Sequence, residues 1–192
     1  MYRKLILCVI LATVFLTPHA SASTPVPPAI PQDYVVDLAG VIRDDVRSKL
    51  NAYLAELEQK TTAQVLVLTV QSLDGEDIES FSLRTAEGWK LGRKGKDNGV
   101  LITVAVKDRK YRIEVGYGLE SVLPDSAVGS IGREHLVPYF RNGDYSTGIF
   151  TATLAVIQTI AAHEGVQITG LPGIQRTNED YVRKPIGILG SI

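Results

Sequence analysis

The run Val100-Leu-Ile-Thr-Val-Ala-Val106 constrains this chain more than any other stretch. It is almost wholly apolar and rich in β-branched residues, so it reads as a strand covered on both sides. Such a strand demands a sheet with a packed layer on each face. Lys107-Asp108-Arg109-Lys110 is a polar turn, and Tyr111-Arg-Ile-Glu-Val115 alternates as a strand with one polar face. The two strands are close enough to pair as an antiparallel hairpin. In a hairpin, the residues before the first strand lie beside the residues after the second. Lys96-Asp97-Asn98-Gly99 is therefore expected to meet Gly116-Tyr117-Gly118-Leu119-Glu120 at the sheet end opposite the turn, with Asp125 close behind.

The elements around this hairpin alternate. Asp33 to Gly40 reads as an extended piece closing on a turn. A helix is expected from Asp44 or Asp45 to about Lys60, with Val46, Leu50, Tyr53, Leu54 and Leu57 on one face. Gln64-Val-Leu-Val-Leu-Thr-Val70 is a second buried strand. A helix from Asp77 to about Lys90 places Ile78, Phe81, Leu83 and Trp89 inward, and a Gly- and charge-rich loop, Leu91 to Gly99, feeds the central strand. Strand, helix and strand in this order predict a right-handed crossover with parallel strands. Later helices are expected from about Ala127 to Phe140, with Asp125 or Ser126 as cap, and from Tyr145 to His163, with Asp144 as cap. The plan is an α/β/α sandwich around a small, mostly parallel sheet with one antiparallel hairpin strand.

The ends read differently from the middle. Arg3 and Lys4, an apolar run from Leu5 to Leu16 and the small residues Ala20-Ser21-Ala22 predict a signal peptide over residues 1–22, cut near Ala22. An uncleaved anchor is the alternative. Either way the domain is expected on the exported side of a membrane, periplasmic or secreted. Cleavage would remove the only cysteine, Cys8, and with it any disulfide or thiolate site. It would also take the formal charge from −1 to −3 by removing Arg3 and Lys4. No basic excess points to nucleic acid. Residues 23–33 form a Pro-rich linker, residues 34–163 one domain, and residues 164–192 a tail punctuated by Gly and Pro, expected to be poorly ordered.

Asp97, Asn98, Glu120 and Asp125 are candidate oxygen ligands for a hard divalent cation. Each has a plainer reading: Asn98-Gly99 as a turn, Asp125 as a helix cap, Glu120 as a surface residue. Gly116-x-Gly118 begins like a dinucleotide loop, but Ser121 stands at the third glycine position and no helix start comes after it, so no dinucleotide is expected. His135 and His163 are isolated, and the common hydrolase and nucleotide motifs are missing.

Several pieces in order and spacing resemble the TPM domain family. They are Val36-Asp37-Leu-Ala-Gly40, Ala63-Gln64-Val65, Trp89-Lys-Leu-Gly92, Lys96-Asp-Asn-Gly-Val-Leu101, Asp108-Arg109-Lys110, Ile113-Glu-Val-Gly-Tyr-Gly-Leu-Glu120 and Pro138-Tyr-Phe-Arg141-Asn-Gly-Asp144-Tyr145. The resemblance covers about Tyr34 to His163. It implies a Rossmann-like α/β/α sandwich that binds a divalent cation, calcium above all or magnesium, with Asp97, Asn98, Glu120 and Asp125 as metal ligands. It also implies an envelope or membrane protein as partner and a binding or maintenance role. The alternative it carries is a metal-assisted acid phosphatase.

Overall fold

The computed structural model describes residues 31–172. The expected signal peptide, most of the Pro-rich linker and residues 173–192 lie outside the described residues. Four strands form one sheet in the order β1 (Val35–Asp37), β2 (Gln64–Val70), β3 (Gly99–Ala105) and β4 (Lys110–Val115). β1, β2 and β3 run parallel, and β4 pairs with β3 antiparallel through the expected hairpin, Val100 opposite Val115 and Ala105 opposite Lys110. Every residue of β3 is buried, as its composition requires.

Helices cover both faces. On one face, α1 (Asp44–Thr61) and α5 (Tyr145–His163) pack against Val65, Val67, Val100, Ile102 and Val104. On the other, α2 (Ile78–Gly88) sets Ile78 and Phe81, with Trp89 just beyond it, against Leu66, Leu68, Leu101 and Ala105. The strand order advances in one direction from β1 to β3, while α1 and α2 lie on opposite faces. The two crossovers therefore have opposite hands, and one of them is left-handed, against the strong right-handed preference. The arrangement buries both faces: α1 and α5 cover one, and the apolar stripe of α2 covers the other. Leu83, expected inward on that stripe, is instead 49% exposed.

The helix expected over 127–140 runs from Asp125 to Arg141 in pieces: α3 (Asp125–Ile131), a π-helical turn over Gly132–Leu136, and α4 (Val137–Arg141). Pro138 explains the widened turn, because its ring lacks an N–H and collides with the carbonyl four residues back. The His135 carbonyl accepts a hydrogen bond from the Thr151 hydroxyl of α5 at 3.1 Å. Asp144 caps α5 by accepting from the Thr147 amide at 3.1 Å, and Phe140 meets Tyr111 edge-on and packs at a tilt against Tyr145. That accounts for most of the Pro138–Tyr145 motif. By length and composition α5 could cross a membrane, but 61% of that apolar window is buried within this fold.

The packed chain continues past His163. Lys60 donates to the Gln167 carbonyl at 2.7 Å, Tyr53 to that of Gly170 at 2.9 Å, and Ile168 is buried. Residues 164–172 thus form a strap across α1 and α5.

Two buried hydroxyls, Ser82 on α2 and Thr103 on β3, have no hydrogen-bond partner among the described residues. An orphan polar group in a core costs stability that an apolar isostere does not. Thr103→Val is accordingly expected to stabilise the domain by about 1 kcal/mol, read as a higher midpoint in urea at unchanged slope.

Candidate functional site

The two segments predicted to meet do so. The Gly116 amide donates to the Gly99 carbonyl at 2.8 Å, and the Gly118 amide to that of Asp97 at 3.0 Å. A Cβ on Gly116 would fall inside the van der Waals radius of the Asp97 carbonyl oxygen, and one on Gly118 inside that of Lys96. The glycines are there because backbone passes backbone with no room for a side chain.

Each candidate ligand has a definite place. Asp97 sits in the left-handed region (φ 47°) and is exposed, and its carboxylate makes no hydrogen bond or ion pair among the described residues. Glu120 comes directly after a 3-10 turn (Tyr117–Leu119), is also exposed, and is equally unengaged. Asn98 is buried and turned inward. Its amide oxygen accepts from the Arg93 N–H at 2.9 Å, and its amide nitrogen donates to the Thr62 hydroxyl at 3.1 Å. Asp125 is the first residue of α3, after Pro124 as cap, and lies in the field of Arg112. Burial disfavours the charge on Arg112, but Glu114, Glu79 and Asp125 outweigh it and hold the guanidinium above the usual range. The structure thus brings Asp97 and Glu120 to adjacent segments, commits Asn98 elsewhere and leaves Asp125 exposed at the start of α3, without a hydrogen bond or ion pair among the described residues but within the electrostatic reach of Arg112. Among the described residues, no three His, Cys, Asp or Glu side chains group together in a way that could hold a metal ion.

A wider network fixes the loop before β3. Glu58 of α1 accepts from Tyr34 at 2.8 Å, Gln64 at 2.9 Å and Arg93 at 3.1 Å, and Gln64 accepts from the Gly92 amide at 2.8 Å. These residues lie far apart in sequence, so no local motif announces them. The loop closes one side of an open cleft of about 710 Å³, whose other walls are α2 and the stretch from Glu114 to Tyr117. Leu83 and Tyr117, two exposed large apolar residues, both line it. Lys94 lines it too, whereas the Lys96 ammonium donates to Thr62 at 3.0 Å.

The opposite end of the sheet is closed. Open α/β sheets usually bind ligands at the carboxyl ends of their parallel strands. Here Asp37 accepts from the amides of Val41 and Ile42 and from the Thr69 hydroxyl, Gln71 donates to the Ala39 carbonyl, and Asp108 accepts from the Leu73 amide. Asp37, Gln71 and Asp108 at that end are spent on turns.

A model of the TPM domain matches residues 35–159. The chain belongs to the TPM domain family. Among solved structures, the N-terminal domain of a protein from P. gingivalis is 30% identical, with TM-score 0.66 over 70% of this chain and 85% of that one. The N-terminal domain of a Corynebacterium glutamicum protein is 17% identical (TM-score 0.55, covering 78% of this chain and 93% of that one). A protein from the psychrophilic bacterium Bizionia argentinensis is 19% identical (TM-score 0.54, covering 64% and 83%). The last two share the fold. No curated protein matches the sequence. In this TPM domain, then, the Gly116-Tyr117-Gly118 piece is accounted for by close backbone approach, and Asn98 by a loop-to-helix tie.

Gly118→Ala is expected to cost about 3 kcal/mol or more, because backbone rather than a side chain must yield. Chemical denaturation measures it. Tyr34 gives a pH signature. Burial and the bond to Glu58 push its hydroxyl up to about 12, whereas an unfolded tyrosine ionises near about 10. Its contribution is therefore full below about pH 10 and lost as pH rises towards 12. Thermal melts across that window should fall more steeply for the wild type than for Tyr34→Phe.

Proposed function

We propose that this TPM domain is a non-catalytic module that binds a divalent cation, ordinarily calcium, at the amino end of β3, and acts on a protein of the cell envelope. One observation carries the reading. Asp97 and Glu120 are exposed carboxylates with no hydrogen bond or ion pair among the described residues, on segments whose backbones are bonded to each other. Most other carboxylates near the sheet ends are engaged. Asp97 and Glu120 would hold the cation. The donor set fits a hard ion in kind, since it is all oxygen, but supplies few side-chain ligands. Backbone carbonyls and water would complete the shell of 6–8 oxygens typical of calcium. When bound, the cation would neutralise the two carboxylates and offer open positions to oxygens of a partner. The signal-like N-terminus supports export.

The phosphatase alternative needs a cationic group beside the metal to clamp phosphate. Lys96, the first candidate for that role, gives its ammonium to Thr62, and Arg93 pairs with Glu58. Both details favour the binding module, while Lys94, which lines the cleft, is the cation a phosphatase would use as its clamp.

Calorimetric titration of the mature chain with calcium is the test. A site with few protein ligands is expected to bind with Kd on the order of 10⁻⁴–10⁻³ M, and Asp97→Asn with Glu120→Gln to weaken it at least about tenfold. The same samples are assayed on a generic phosphomonoester. Absence of binding by the wild type would sink the cation site. Turnover that disappears in the double variant would make the protein an enzyme.

A further inference from the structure

β4 is the outer strand of the sheet, and it is twice the length of the other edge strand, β1. The bond from the Gly116 amide to the Gly99 carbonyl fixes the phase of its ladder. Lys110, Arg112 and Glu114 bond to β3, so the N–H and C=O groups of Tyr111, Ile113 and Val115 point outward. None of these outward groups has a hydrogen-bond partner among the described residues. An edge left in this state is a template for another strand.

The side chains state which strand fits. We propose that this edge pairs with β4 of a second copy of the chain, antiparallel about a two-fold axis at Ile113, to make one sheet continuous through both copies. In that register Tyr111 faces the partner's Val115, an aromatic against a β-branched residue. Arg112 faces the partner's Glu114, and Glu114 the partner's Arg112. The neighbouring registers that keep the outward groups bonded do not share this. Moving the axis one residue towards the hairpin sets Arg112 against itself. Moving it one residue the other way sets Glu114 against itself. A further shift towards the hairpin opposes Arg112 to Lys110. Like charges directly opposite destabilise a pair, so the charge pattern selects the register centred on Ile113. Arg112 already bonds Glu114 of its own chain at 2.9 Å and Glu79 at 3.3 Å. The pairing extends this network and leaves the Ile113 side chain in its own core. One strand pair buries less than the roughly 1,200 Å² of a stable complex, so the dimer is reversible, with Kd on the order of 10⁻⁴ M. The pairing does not depend on the cation.

Sedimentation equilibrium of the mature chain over a concentration series spanning that value tests it, with circular dichroism confirming the fold of each variant. The wild type should show a monomer–dimer equilibrium. Arg112→Glu alone and Glu114→Arg alone should each be monomeric, since each puts like charges opposite one another. An equal mixture of the two variants should dimerise again. Both variants lack the bond between 112 and 114 within a chain, so recovery on mixing can only come from pairing between chains. Val115→Pro removes an outward donor without touching the β3 ladder and should also be monomeric, which keeps the test decisive if a charge variant fails to fold. A wild type that stays monomeric throughout, a dimer indifferent to these changes, or no recovery on mixing would each overturn the proposal.

Discussion

Two adjacent strands with no polar face set the terms for the whole molecule. β2 and β3 bury their side chains alternately on the two faces of the sheet, so neither face can be left to water. One face takes α1 and α5, and α5 is apolar over more than one side because it lies inside the fold. The other face then has to be covered by the helix between β2 and β3. Covering both faces in this way outweighs the handedness preference of one of the two crossovers. The resulting loop before β3 is long, charged and glycine-rich, and it forms one wall of the cleft.

The stability of that loop comes from distant partners. Asn98 reaches both the Arg93 amide and Thr62, and Glu58 gathers Tyr34, Gln64 and Arg93. Thr62 also closes α1 in the left-handed conformation (φ 67°), which brings its hydroxyl to the loop. Buried polar groups satisfied in this way fix a single arrangement and penalise others. With the loop fixed, the 96–99 backbone becomes a rigid edge against which Gly116 and Gly118 pass.

These dependencies explain which features are legible in the sequence. Burial of Val100 to Ala105, the hairpin, the cap at Asp144, and the meeting of Asp97 with Gly118 are all local or result from period and strand geometry. The inward turn of Asn98 depends on Thr62, 36 residues away, and has no local signal. Leu83 sits at an apolar helical position, yet it borders the cleft, because α2 lies over β3 and β4 and not centrally over the sheet. Pro138 is visible as a residue inside a helical pattern. That the helix widens and continues depends on support from α5, which supplies the Thr151 hydroxyl.

The distribution of spent and unspent polar groups says where this domain can interact. At the carboxyl ends of the parallel strands, Asp37, Gln71 and Asp108 hold the chain's own turns, and a ligand there would have to displace bonds that keep β1 and the hairpin in place. At the amino end of β3 the backbones bond to each other, and the side chains of Asp97 and Glu120 have no hydrogen bond or ion pair among the described residues. Beside them the cleft exposes Leu83 and Tyr117, whose burial on binding would add apolar area to whatever the carboxylates attract. A charged pair next to an apolar wall suits a protein surface better than a small ion alone. In this arrangement the cation would serve as a bridge, and recognition would rest on the cleft.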